Sequence, residues 1–198
     1  YGMGAAKLQQ TLKQGTMGPP VDISLEECHR IVNIYRSRNY KIKELWKEMD
    51  RIIVCMLTGT SGEFGPIAYG KGYIQLPSGL FLQYYGLHGE AEVRHDDLVV
   101  NEATYLTRQG RSKIYGGLLT ENVVQALARC IIADQMLAIH EAGYRVVTST
   151  HDEIVVVAKR KDADKCLTKM IQIMSTAPDW APGLPLAAEG GWDVNYSK

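Results

Sequence analysis

The stretch that most constrains this chain is Val146-Val147-Thr148-Ser149-Thr150-His151-Asp152-Glu153-Ile154-Val155-Val156-Val157-Ala158. Two runs rich in β-branched residues flank a His-Asp pair, a pattern that predicts a tight β-hairpin with buried strands and an exposed tip. The tip presents Asp152. Two adjacent acids, Asp152 and Glu153, among so many apolar neighbours are costly unless a cation stands opposite them, and a divalent metal is the simplest such partner. The plainer reading is an ordinary turn, because Asp favours turns through its own backbone hydrogen bonding.

The 198 residues, 45% hydrophobic and 22% charged, suffice for one core or two closely packed ones. No unbroken apolar run approaches the roughly 20 residues that span a bilayer, and the first residues lack a basic region followed by an apolar one. The expectation is a soluble protein with no membrane partner and a cytoplasmic location. Cys28, Cys55, Cys130 and Cys166 have no paired spacing and read as reduced core residues rather than a zinc cluster or disulfide framework. Basic and acidic residues number 22 each. Any nucleic-acid site on a chain with no net charge is therefore a local patch. Tyr1-Gly2-Met3-Gly4 opens without an initiator methionine and runs straight into helix-forming sequence, which suggests a piece of a longer protein.

Taken in order, residues 5–14 favour a helix that stops at Gly15, and Pro19-Pro20 forbids helix after it. Ser24-Leu25-Glu26-Glu27 is a capping box, with Cys28, Ile31, Val32, Ile34 and Tyr35 continuing an apolar stripe to about Ser37. A third helix is expected over 41–57, its core stripe being Ile42, Leu45, Trp46, Met49, Ile52, Ile53 and Met56. Glycines and prolines make 58–72 a loop, followed by strands over 72–76 and 80–85 joined at Pro77-Ser78-Gly79. Glu90, Glu92, Asp96 and Asp97 read as a solvated acidic surface. Arg108, Arg111 and Lys113 with Tyr105 and Tyr115 form a basic, aromatic stretch that is either a charged loop or a phosphate-binding one. The longest helix is expected over 120–142, with Val123, Leu127, Ile131 and Leu137 inward. Asn122, Gln125 and Arg129 share another face near its amino end, suited either to base edges and sugars or merely to solvent. After the hairpin, Asp162 caps a helix running through Met174, and 186–188 is a short extended segment.

Three separated stretches then fall into one order: Tyr1-Gly2 opening a helix, Tyr115-Gly116-Gly117-Leu118-Leu119-Thr120-Glu121-Asn122-Val123-Val124-Gln125-Ala126-Leu127-Ala128-Arg129, and Thr150-His151-Asp152-Glu153. The chain resembles the carboxy-terminal part of a family A DNA polymerase, the DNA polymerase I group. Its tail, Ala181-Pro182-Gly183-Leu184-Pro185 with Ala187-Ala188-Glu189-Gly190, is similar to the phage and prophage members. The resemblance implies an α+β fold, helices packed on an antiparallel palm sheet that contains the His-Asp-Glu hairpin. It divides the chain into a helical fingers part over 1–57, an inserted β and loop region over 58–119, and a palm part over 120–198.

By that resemblance, Asp152 is a ligand of a catalytic magnesium pair, Glu153 an auxiliary carboxylate and His151 a neighbour of the primer terminus. Tyr1, with Gly2, matches the end of the helix that closes over the incoming deoxynucleoside triphosphate. Lys113 falls at a basic, DNA-contacting position. Glu121 falls where many relatives carry a glutamine that reads the minor groove, and Gly117 falls on an asparagine; Gln125, Asn122 and Arg129 are the alternative DNA contacts. The family's second metal-binding aspartate lies in an Asp-Tyr-Ser motif that this chain lacks. The implied partners are primer–template DNA, deoxynucleoside triphosphates and the remainder of the polymerase chain. The isolated piece is expected to be inactive. Two other readings are a non-catalytic nucleic-acid-binding module built on Arg108, Arg111, Lys113 and Arg129, and an unrelated metal-dependent phosphohydrolase built on the hairpin.

Overall fold

The computed structural model describes residues 2–16, 18–94 and 97–196. It is an α+β structure of five α-helices and small antiparallel sheets among the described residues, and the backbone divides into two compact units.

The first unit comprises 1–64, 68–75 and 81–124. Its helices are α1 (Ala5–Gln14), α2 (Leu25–Arg38) and α3 (Tyr40–Thr58), and local signals set their ends. Gly15 closes α1 in the left-handed conformation, its N–H donating to the Leu12 carbonyl. The Ser24 hydroxyl accepts from the Glu27 N–H at 3.1 Å to start α2. Asn39 alone separates α2 from α3, and Gly59 at φ +84° ends α3. α3 buries Met49, Ile52, Ile53, Val54 and Met56 and packs on strands β5 (His88–Arg94) and β6 (Asp97–Thr107). β5, β6 and β7 (Gly110–Lys113) form one antiparallel sheet, with Thr104 opposite Lys113. A second sheet runs in order through β1 (Gly62–Phe64), β2 (Ile67–Gly70), β3 (Tyr73–Gln75) and β4 (Phe81–Gln83).

The second unit comprises 65–67, 76–80 and 125–198. It holds most of α4 (Gly116–Glu141), the hairpin of β8 (Arg145–Thr150) and β9 (Glu153–Val157), and α5 (Ala163–Met174), which follows a 3-10 turn over Arg160–Asp162. Ile132 and Ile139 of α4, Ile154 of β9, and Cys166 and Met170 of α5 form its core. Gln135 donates to the Met174 carbonyl at 2.9 Å, fixing the end of α5 against α4. The tail is held by side chains rather than by strand pairing. Trp180 donates to Asp134 at 3.1 Å, Trp192 to Asp164 at 2.7 Å, and the Ala188 N–H to the Ser175 hydroxyl at 3.2 Å.

Several expectations are corrected. The 58–72 segment is not a loop: it contains β1 and β2, whose hydrogen bonds come from sheet neighbours rather than from local propensity. The acidic and basic stretches after Gln83 lie in β5, β6 and β7, although Asp96 falls outside the described residues. α4 begins at Gly116, four residues early. Asp162 precedes α5 without a side-chain cap. The α2 stripe is mostly open, since only Cys28 is buried there, and Ile42 at the start of α3 and Leu137 in α4 are exposed. α4 is also long and apolar enough, by length and composition alone, to cross a membrane. Counting unbroken apolar runs misses it, because Asn122, Gln125, Arg129, Asp134 and Gln135 interrupt the pattern.

Candidate active site

The hairpin closes at the Thr150–Glu153 pair, leaving His151 and Asp152 as a two-residue tip. His151 sits at φ +53°, in a region that a residue bearing a Cβ adopts only at a cost of roughly 1 kcal/mol. Both tip side chains are exposed, and among the described residues Asp152 makes no hydrogen bond or ion pair. The strands are less buried than their composition suggests. Ile154, Val146 and Val156 pack on the core, whereas Val147, next to a bulge, and Val157 are 46% and 61% exposed.

Glu153, the first residue of β9, is half-buried, and its Oε2 accepts from the Tyr196 hydroxyl at 3.0 Å. Sequence reasoning missed Tyr196, which lies 43 residues away in an irregular tail with no local signal to link it to the hairpin. Two neighbouring carboxylates are thus present, one open to solvent and one held by a phenol. They do not amount to a metal cage: no group of three or more His, Cys, Asp or Glu side chains stands ready for an ion among the described residues.

Gln125 and Arg129, on the α4 portion of the same unit, are exposed. The other sequence-derived candidates belong to the first unit. Tyr1 lies outside the described residues. Gly2, at φ +65°, lies against the start of α4, where a Cβ would stand 3.4 Å from the Tyr115 ring and 3.9 Å from the Gly117 Cα. The structure therefore brings Gly2 to the Gly116-Gly117 entrance of α4. Lys113, at the end of β7, is exposed. Arg111 is tied to its own sheet, donating to the Thr104 hydroxyl at 2.9 Å and to the Gly86 carbonyl at 2.8 Å. The Asn122 amide donates to the Tyr84 hydroxyl at 3.1 Å. Burial pushes that phenol up to about 12, so it is a neutral partner throughout the physiological range. Glu121 is half-buried beside it on α4.

The entrance of α4 is set by a residue that sequence reasoning did not single out. Asp50 of α3, 66 residues away, accepts from the Gly116 N–H at 2.5 Å, satisfying one of the orphan donors of the helix. A Cβ on Gly116 would collide with the Trp46 carbonyl oxygen. Burial holds the Asp50 carboxyl above its ordinary range, and the bond from Gly116 opposes that shift.

No family model matches the chain, and no solved structure matches it. A DNA polymerase of Bacillus phage SP02 is 31% identical to it over 184 residues, which cover 87% of this chain and 28% of that polymerase. The chain is thus related to a phage DNA polymerase and spans little more than a quarter of that relative's length.

Proposed function

We propose that this chain is the carboxy-terminal fingers and palm part of a family A, phage-type, template-directed DNA polymerase. The observation that carries the reading is the 31% identity to a phage DNA polymerase over nearly the whole chain. In this reading residues 1–57 belong to the fingers, 58–119 are an insertion, and 120–198 belong to the palm. The parent adds deoxynucleotides to a primer 3′-hydroxyl by two-metal phosphoryl transfer.

Asp152 is the residue offered to the metals, because its carboxylate stands exposed and unengaged on a two-residue turn. Glu153, held by Tyr196, is the auxiliary carboxylate, and His151 borders the primer terminus. A hard cation takes about six oxygen ligands, waters included, and among the described residues no third acid, His or Cys joins the hairpin's two carboxylates to hold magnesium. A further carboxylate from elsewhere in the parent completes the site, which is why the isolated chain is expected to be inactive. When bound, the magnesium pair supplies neutralisation of charge on the transferring phosphoryl group. Tyr1 and Gly2 border the incoming nucleotide, and Lys113, Glu121, Asn122, Gln125 and Arg129 face DNA.

The test is Asp152→Asn in the full-length polymerase. Primer extension is expected to fall a hundredfold or more, roughly the scale of losing a charge-stabilising group, with primer–template affinity retained. Near-normal extension would overturn the assignment.

A further inference from the structure

Three backbone segments of the first unit meet at the entrance of α4. Gly116 lies against the α3 backbone at Trp46. Gly117 lies against Gly2, a Cβ on Gly117 standing 3.6 Å from the Gly2 Cα and 3.0 Å from the Tyr115 ring. Gly2 in turn holds φ +65°, a left-handed conformation that glycine adopts without strain, and backs onto the same ring. Contacts this close leave little room for one segment to move without the others.

A hydrogen bond ties this junction to α3. The half-buried Asp50 carboxylate accepts from the Gly116 N–H at 2.5 Å. Gly116 is the first residue of α4, where N–H groups lack helical partners and the helix dipole favours negative charge, so a carboxylate makes the stronger, charge-assisted bond.

We propose that Asp50 is a positioning residue for the incoming nucleotide: by holding Gly116 on α3 it fixes Tyr115 and Gly117, and these two seat Gly2. Its role rests on the polymerase reading above, in which Tyr1 and Gly2 border the deoxynucleoside triphosphate. Asp50 itself touches no reacting atom in that reading and acts through Gly116, Gly117 and Gly2. Asp152 belongs to the second unit. Loss of the Asp50 bond should therefore weaken nucleotide binding and spare the chemical step.

The experiment is single-nucleotide incorporation by the full-length polymerase, with the deoxynucleotide KM and kcat measured for each variant and thermal melting as a check on folding. Asp50→Ala and Asp50→Leu offer no acceptor and are each expected to raise KM about fivefold, roughly the scale of one hydrogen bond, with kcat within twofold. Leucine is close to aspartate in shape and tolerates burial, so Asp50→Leu should stay folded even where alanine leaves a gap. Asp50→Asn keeps an acceptor and should keep KM within twofold. Gly2→Ala strains the same seat, so the double variant Asp50→Leu with Gly2→Ala should raise KM by less than the product of the two single effects. A readout without synthesis comes from proton NMR of the chain itself. The Gly2 Hα lies against the Tyr115 ring, and its ring-current displacement should shrink in Asp50→Leu and persist in Asp50→Asn.

A KM within twofold of the parent for both Asp50→Ala and Asp50→Leu would overturn the proposal. So would a fall in kcat at unchanged KM, which is what a smaller folded fraction produces. Asp50→Asn as impaired as Asp50→Leu, fully multiplicative effects in the double variant, or a Gly2 signal that stays in place would each overturn it too. The polymerase reading fails separately, through an Asp152→Asn enzyme that extends primers normally, and the Gly2 signal is read whether or not synthesis occurs.

Discussion

Asp50 shows how one side chain can decide where a helix begins. Its carboxylate reaches the Gly116 N–H across 66 residues of sequence, and α4 starts there despite two consecutive glycines. Because burial raises its pKa above the ordinary 3.8, ionised Asp50 weakens the fold at neutral pH. That cost disappears as pH falls through the raised value toward 3.8. Relative to Asp50→Asn, which keeps an acceptor without the charge, the parent should therefore gain stability on acidification across that interval. Urea melts at a series of pH values measure this. Asp50→Ala removes the acceptor and should cost about 1 kcal/mol at neutral pH.

The neighbouring glycine has no such latitude. Gly116→Ala places a methyl group against the Trp46 carbonyl and should cost upwards of about 2 kcal/mol, whereas Gly4→Ala meets nothing within 4 Å and should be close to neutral. Comparable losses for the two would contradict the packing described for the α4 entrance.

At the scale of the element, the hairpin joins a strained tip to an anchored base. His151→Gly should stabilise the chain by about 0.5–1 kcal/mol in thermal melts, since glycine adopts its positive φ freely. The same change should slow a full-length polymerase if His151 borders the primer terminus. A double-mutant cycle on Tyr196→Phe and Glu153→Gln should give a coupling of about 0.5–1 kcal/mol. A coupling of zero would mean that the phenol does not hold the carboxylate in solution.

What was legible in the sequence at this scale follows from range. α1, α2 and α3 are readable because Gly15, Ser24 and Gly59 terminate them through bonds to residues three or four positions away. β3, β4 and the His-Asp-Glu hairpin are readable because a turn residue lies between two apolar runs. β5, β6 and β7 escape because their acidic and basic side chains conceal the strand pattern, and their pairing is settled across the sheet. The first turn of α4 and the Glu153–Tyr196 bond escape for the same reason, each partner being dozens of residues away.

On the scale of the whole molecule, the two units carry different parts of the candidate chemistry. Gly2, Lys113, Glu121 and Asn122 belong to the first, and Gln125, Arg129 and the His-Asp-Glu tip to the second. With no net charge overall, the proposed DNA binding would rest on local patches and should fall steeply with added salt. The similarity to a phage DNA polymerase supports the proposed polymerase parent, and the exposed Asp152 is the residue on which the proposed chemistry is staked.

The most direct measurement is single-turnover primer extension by a full-length polymerase carrying this chain, with Asp152→Asn, Glu153→Gln and Arg129→Ala beside the parent and primer–template affinity measured in parallel. The expected result is a rate loss of a hundredfold or more for Asp152→Asn and a smaller one for Glu153→Gln, both at unchanged affinity, with Arg129→Ala changing affinity and its salt dependence but not the rate. An Asp152→Asn enzyme extending primers within twofold of the parent rate would contradict the account.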